Sequence, residues 1–135
     1  MPSTGAGVSA APPGSPGATP KGPTGERLAT LSLFSGCGCL DFALLAQCKP
    51  VAYCECDTSA VEVLRARMSD GWLPAAPVHE DIRKMHAANL RGQVDGIVMG
   101  FPCQDISVAG HQLGFEGDRS VLVFEALRIA EESQC

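Results

Sequence analysis

The hydrophobic positions of this chain fall into short blocks separated by small-residue turns. Leu28-Ala29-Thr30-Leu31-Ser32-Leu33-Phe34 is an apolar run with β-favouring members and predicts a first strand. It runs into Ser35-Gly36-Cys37-Gly38-Cys39, a turn of small residues. From Leu40 to Gln47 the spacing predicts a helix with Leu40, Leu44 and Leu45 on one face. Pro50 to Cys54 predicts a second strand, ending on Glu55-Cys56-Asp57. Thr58 to Met68 is a predicted helix, with Val61, Leu64 and Met68 at core spacing and Asp57 or Thr58 as N-cap. Ser69-Asp70-Gly71 stops it. A weaker strand lies near Val78-His79, followed by Asp81-Ile82, and Lys84 to Leu90 reads as helical. Val94 to Met99 predicts a buried fourth strand, Gly110 to Ser120 a long mobile loop, and Ser120 to Glu132 a last helix carrying Leu122, Leu127 and Ile129.

Strands alternating with helices are the pattern of a parallel, doubly wound α/β sheet. In that class ligands collect at the carboxyl ends of the strands, so the residues just beyond each predicted strand are the candidates for function. The pattern stops at the helix after strand four, which leaves an edge and a helix face poorly covered and predicts a truncated chain. Residues 1–25 are almost all Gly, Pro, Ala, Ser and Thr, with Lys21 as the one charged residue. They cannot bury enough apolar surface to offset their ordering entropy and are predicted to be a disordered tail. Residues 26–135 then form one small α/β unit. No secretory signal pattern is present, the tail is poor in Arg for a transit peptide, and no run reaches the roughly 18 apolar residues of a membrane span.

Charge narrows the picture. A net charge of −5 over 135 residues argues against a nucleic-acid grip built from bulk basic charge, and leaves any such grip to another segment. Seven cysteines without a secretory signal predict reduced thiols in an intracellular protein of the nucleus or cytoplasm. Cys37/Cys39 and Cys54/Cys56 are pairs separated by a single residue. Four thiolates suggest a zinc module, but paired zinc ligands usually have two to four residues between them, and His79, His86 and His111 show no ligand-like spacing.

Four features carry candidate chemistry. Cys103 stands directly after Pro102 at the exit of the fourth predicted strand. Pro102 fixes the direction in which the chain leaves the strand, and a thiol so presented is either a nucleophile or one more small buried hydrophobe. The turn Phe34-Ser35-Gly36-Cys37-Gly38 lets backbone approach a ligand closely; it fits a dinucleotide, another nucleoside cofactor or a plain tight turn. Glu55, at the tip of strand two, can accept hydrogen bonds from the ribose hydroxyls of an adenosine cofactor, or be a solvated loop carboxylate. Asp81 can accept from an adenine amino group while Ile82 covers the ring, or can cap the next helix.

Taken in order with Gly100-Phe101-Pro102-Cys103-Gln104-Asp105-Ile106-Ser107, these residues resemble the C5-cytosine DNA methyltransferases. The likeness runs on through Gly110, Gly114-Phe115, Asp118-Arg119-Ser120, Leu122 and Glu125 to Arg128-Ile129, covering about residues 30–132. The resemblance implies the N-terminal part of a Rossmann-like, S-adenosylmethionine-dependent catalytic domain. It implies a methionine moiety against Phe34, Ser35, Gly36, Cys37 and Gly38, the ribose on Glu55, adenine beside Asp81 and Ile82, and Pro102 and Leu122 at the same cofactor. It implies that Cys103 adds to C6 of a cytosine flipped out of DNA, with Gln104, Ser107 and Arg119 on the loop that closes over the substrate. The family usually has Gly where Cys39 stands. Its Glu-Asn-Val block, whose Glu protonates the cytosine ring, has no counterpart here. The resemblance therefore predicts a fragment with little activity alone, completed by a complementary C-terminal half. The competing readings are a transfer-RNA cytosine-5 methyltransferase and a non-catalytic S-adenosylmethionine-binding module.

Overall fold

The computed structural model describes residues 26–100 and 121–135. The expectations for residues 1–25 and 101–120, among them those for Pro102, Cys103, Gln104, Ser107 and Arg119, lie outside the described residues. Four strands, β1 (Leu28–Leu33), β2 (Cys48–Cys54), β3 (Val78–His79) and β4 (Gly96–Met99), form one parallel sheet in the order β3-β2-β1-β4. Leu33 lies opposite Cys54 of β2 and Met99 of β4, and Cys54 lies opposite His79 of β3. All four strands thus end on one rim. The order reverses between β1 and β4, which is where an open α/β sheet places its ligand crevice.

Strand periodicity divides the core into two layers. Leu31 and Leu33 of β1, with Ala52 and Cys54 of β2, join Ile82, Met85, Val94, Ala126 and Ile129 in the cluster that holds α3 (Val121–Ser133). Tyr53 points the other way and packs with Leu64 and Leu73, so that α2 (Thr58–Ser69) covers the opposite face. Asp57 is the α2 N-cap; its Oδ1 accepts from the Ala60 N–H at 2.8 Å. Pro50 sits inside β2, where it has no N–H to donate, and the β1–β2 register slips at that point, between Thr30 and Leu31.

Three elements differ from the sequence pattern. The helix predicted for Leu40–Gln47 is α1 (Cys39–Ala43), five residues long. Cys48 must pair with Leu28 in register, and the Leu28 N–H donates to the Gln47 carbonyl, so the chain is drawn into β2 before a second turn of helix can form. Its buried residue is Asp41; Leu40 and Phe42 are exposed. Lys84–Leu90 is not one helix but parts of two short 3₁₀ turns, Ile82–Lys84 and Ala88–Leu90. Arg128 of α3 takes the local carbonyls, donating to Ile82 O at 2.9 Å and Met85 O at 3.1 Å, while Glu132 accepts from the Ala87 N–H at 2.8 Å. Those side chains hold the segment extended across α3. The buried fourth strand expected over Val94 to Met99 is β4 (Gly96–Met99), half-buried with Met99 41% exposed, because it stands at the edge of the described sheet with β1 as its neighbour there. Of the apolar positions of the last helix, Ile129 is fully buried and Leu127 is 60% exposed.

Gly38 shows how tightly the turn after β1 is seated. Its φ is +83°, and a Cβ there would lie 2.5 Å from Leu73 Cδ1 and 2.9 Å from Leu64 Cδ1. Gly38→Ala combines a left-handed backbone penalty with overpacking, and should destabilise the domain by about 1–3 kcal/mol in chemical denaturation. Gly36→Ala meets no neighbour within 4 Å and should cost only the backbone part.

Candidate cofactor site

Beyond the rim of the sheet lies a cavity of about 720 Å³. Phe34 and Gly36 enter it from the turn after β1, Cys54, Glu55, Cys56 and Asp57 from the tip of β2, Glu80 to Arg83 from beyond β3, Gly100 from beyond β4, and Leu122 from α3. Five segments therefore meet here, four of them because parallel strands end together.

The turn is held by short polar contacts. Phe34 (φ +51°) and Gly36 (φ +56°) both bend the backbone into the left-handed region as the chain leaves β1. Ser35 ties this bend to the sheet: its N–H donates to the Cys54 carbonyl at 3.1 Å, and its hydroxyl donates to Ser32 O at 3.0 Å. The Gly36 N–H donates to Glu55 Oε2 at 2.7 Å, and the Asp57 N–H donates to Glu55 Oε1 at 2.9 Å. One carboxylate thus joins the β1 turn to the start of α2. Each of its oxygens keeps a further lone pair for a ligand hydroxyl.

On the far wall Asp81 opens the 3₁₀ turn. Its Oδ1 accepts from the backbone N–H of Arg83 at 3.0 Å and from Arg83 Nε at 2.9 Å. The Arg83 guanidinium beside it holds the Asp81 carboxyl below the usual carboxylate range. Ile82 beside it is buried and apolar. Phe34, Ile82 and Leu122 give the cavity apolar surface, while among the described residues Glu55, Asp57, Glu80 and Asp81 set four carboxylates against the one guanidinium of Arg83. Burial pushes the Cys54 thiol up to about 12, with the neighbouring Glu55 charge adding to it, so that thiol stays protonated at neutral pH.

The cavity brings together Phe34, Gly36, Glu55, Asp81, Ile82 and Leu122 of the residues singled out from the sequence. Ser35, Cys37 and Gly38 do not line it: Ser35 braces the turn, Cys37 is exposed beside Cys39, and Gly38 packs on Leu64 and Leu73. Sequence reasoning missed Cys54, Cys56, Asp57, Glu80, Arg83 and Gly100, although most flank residues it chose at strand tips. It also missed Asp41, whose signal was a lone acid inside Leu40-Asp41-Phe42-Ala43-Leu44. Asp41 is 2% exposed; its Oδ2 accepts from the Ser32 hydroxyl at 2.7 Å, and its Oδ1 meets no hydrogen-bond partner among the described residues.

A four-stranded parallel α/β sheet with a crevice beyond its switch point defines the Rossmann-like class. Residues 28–135 match the family model for C-5 cytosine-specific DNA methylases, and the chain belongs to that family. It is 35% identical over 103 residues to the type II methyltransferase M.CviJI of Paramecium bursaria Chlorella virus IL3A, covering 76% of this chain and 27% of that enzyme. Over 103 residues it is 41% identical to M.PspPI of a Psychrobacter species and 38% identical to M.Eco47II of Escherichia coli, covering 76% of this chain and 24% of each enzyme. The chain thus spans about a quarter of the length of these curated relatives. No helix among the described residues is long and apolar enough to cross a membrane, and no three or more of their His, Cys, Asp and Glu side chains are grouped so that they could hold a metal ion.

Asp41 makes a pH prediction. Burial raises its carboxyl above the ordinary value, against a smaller opposing effect of the Ser32 hydrogen bond. Its contribution is therefore fully present below the unfolded pKa of about 3.9 and is lost as pH rises through the higher folded value. Asp41→Asn keeps an acceptor for Ser32 without a buried charge. Thermal melts should show Asp41→Asn more stable than wild type near neutrality, with the gap closing towards acid pH; a gap independent of pH would contradict this.

Proposed function

We propose that this chain supplies the methyl-donor site and the nucleophile of a DNA cytosine-5 methyltransferase that uses S-adenosylmethionine. The supporting observation is the convergence of Phe34, Gly36, Glu55, Asp81, Ile82 and Leu122 on one cavity. Its volume of about 720 Å³ lies in the range of small-molecule sites. In this reading Glu55 accepts from the two ribose hydroxyls and Asp81 from the adenine amino group, while Ile82 and Leu122 enclose the ring. The excess of carboxylates favours a cationic nucleoside such as a sulfonium over a dinucleotide with its anionic pyrophosphate.

When bound, S-adenosylmethionine supplies an electrophilic methyl group. The chain's own part begins with Cys103, whose thiolate adds to C6 of a cytosine swung out of the duplex. That bond places electron density on C5, which would take the methyl group as the methyl–sulfur bond breaks and leaves S-adenosylhomocysteine. Loss of the C5 proton to solvent and expulsion of the Cys103 thiolate restore the aromatic ring. Gln104, Ser107 and Arg119 hold the substrate side, and Pro102 directs Cys103 towards it. Because the chain matches only about a quarter of its relatives' lengths, the general acid and the DNA-reading surface are assigned to a complementary segment. General-acid assistance is typically worth 10²–10⁴-fold, so the chain alone should be nearly inactive.

Cys103→Ala should leave S-adenosylmethionine affinity within about threefold by calorimetry, while abolishing the covalent adduct with 5-fluorocytosine DNA in the presence of the complementary segment. Glu55→Ala removes ribose acceptors and unties the Gly36 turn; charged hydrogen bonds of about 1.5–3 kcal/mol translate into a tenfold to hundredfold weaker affinity. An adduct that persists in Cys103→Ala overturns the nucleophile assignment. Unchanged binding in Glu55→Ala overturns the cofactor site. Adduct formation on transfer RNA in place of DNA would redirect the substrate, and donor binding without any adduct would mark a non-catalytic module.

A further inference from the structure

The Cys37/Cys39 pair is not used by the reaction above. The two side chains are exposed, yet their sulfurs lie 3.2 Å apart, within hydrogen-bond contact. The residue between them is Gly38, whose φ of +83° makes the tight reversal that brings the thiols side by side. Gly38 is buried against Leu64 and Leu73, so the turn is backed by the core while both sulfurs face solvent. The hydrogen bond to Cys37 raises the Cys39 thiol above its ordinary value. The other described cysteines lack this arrangement: Cys54 is buried, Cys48 is half-buried, and Cys56 and Cys135 have no sulfur partner among the described residues.

We propose that Cys37 and Cys39 are a redox-active dithiol that closes reversibly to an intramolecular disulfide by exchange with a small-molecule disulfide such as oxidised glutathione. In the first step a Cys37 thiolate attacks one sulfur of glutathione disulfide; a protein–glutathione bond forms, the S–S bond breaks, and one glutathione thiolate leaves. In the second, Cys39 loses its proton to solvent and attacks the Cys37 sulfur, expelling the second glutathione thiolate. The protein dithiol is oxidised by two electrons and glutathione disulfide is reduced to two thiols. The sulfurs need only close from 3.2 Å to about 2.05 Å. This second attack is favoured over a lasting glutathione adduct because the resolving thiol is already in contact.

The test equilibrates the chain in glutathione buffers of rising disulfide content, alkylates it under denaturing conditions and reads intact mass. Wild type should lose two alkylatable thiols without gaining the mass of glutathione, and recover both on reduction. In Cys37→Ser and in Cys39→Ser that paired loss should vanish, the remaining thiol carrying glutathione instead; Cys48→Ser should behave as wild type. Phenylarsine oxide, which bridges adjacent thiols, should protect the same two positions in one equivalent, again only when both are present. No paired loss at any buffer ratio, or a paired loss that survives Cys37→Ser, overturns the proposal.

Discussion

The site depends on one hydrogen bond, from the Gly36 N–H to the Glu55 carboxylate. It spans the gap between the exits of β1 and β2, two segments that the sheet aligns but does not itself join beyond Cys54. Without an acceptor there, a left-handed turn containing Phe34 and Gly36 would present an unpaired N–H to the cavity. With it, the same carboxylate also caps the approach to α2 through the Asp57 N–H. A ligand reaching Glu55 therefore touches the brace of the pocket as well as its wall.

That brace is effective because its supports are rigid. β1 is flanked on both edges by parallel strands, and Thr30 to Leu33 are buried. Ser32, Ser35 and Asp41 form a short chain of hydroxyl and carboxyl contacts below the turn, on the side away from α3. On the other side Arg128 clamps the Ile82 and Met85 carbonyls, and is itself held by Glu125 at 2.8 Å and Glu132 at 2.6 Å. An exposed ion pair contributes little, but these groups are partly covered and bonded to backbone, which fixes the 3₁₀ segment carrying Asp81 and Ile82. Both walls of the cavity are thus set by contacts from other elements.

The same turn has two edges with different surroundings. Its inner edge, Phe34 and Gly36, faces the cavity, and its outer edge exposes Cys37 and Cys39. Gly38, between the two cysteines, lies so close to Leu64 and Leu73 that a side chain there would meet both.

Much of this was legible in the residues. Short apolar runs identified β1 and the β4 region, the cap at Asp57 or Thr58 located α2, and acids or glycines at strand tips pointed to Gly36, Glu55 and Asp81. Those signals are local: they arise from a residue's own backbone preference and its immediate neighbours, so one sequence suffices to read them. What required the folded chain was every feature set by a distant partner. The five-residue length of α1 follows from the β1–β2 register, the 3₁₀ turns from Arg128, and the burial of Asp41 from Ser32 lying beneath it. Sequence by itself determined where the four strands and the two long helices lie and which chemical groups stand at their ends. Only tertiary structure decided which of those groups share a cavity, because parallel pairing, and not any local preference, brings the strand ends to one rim.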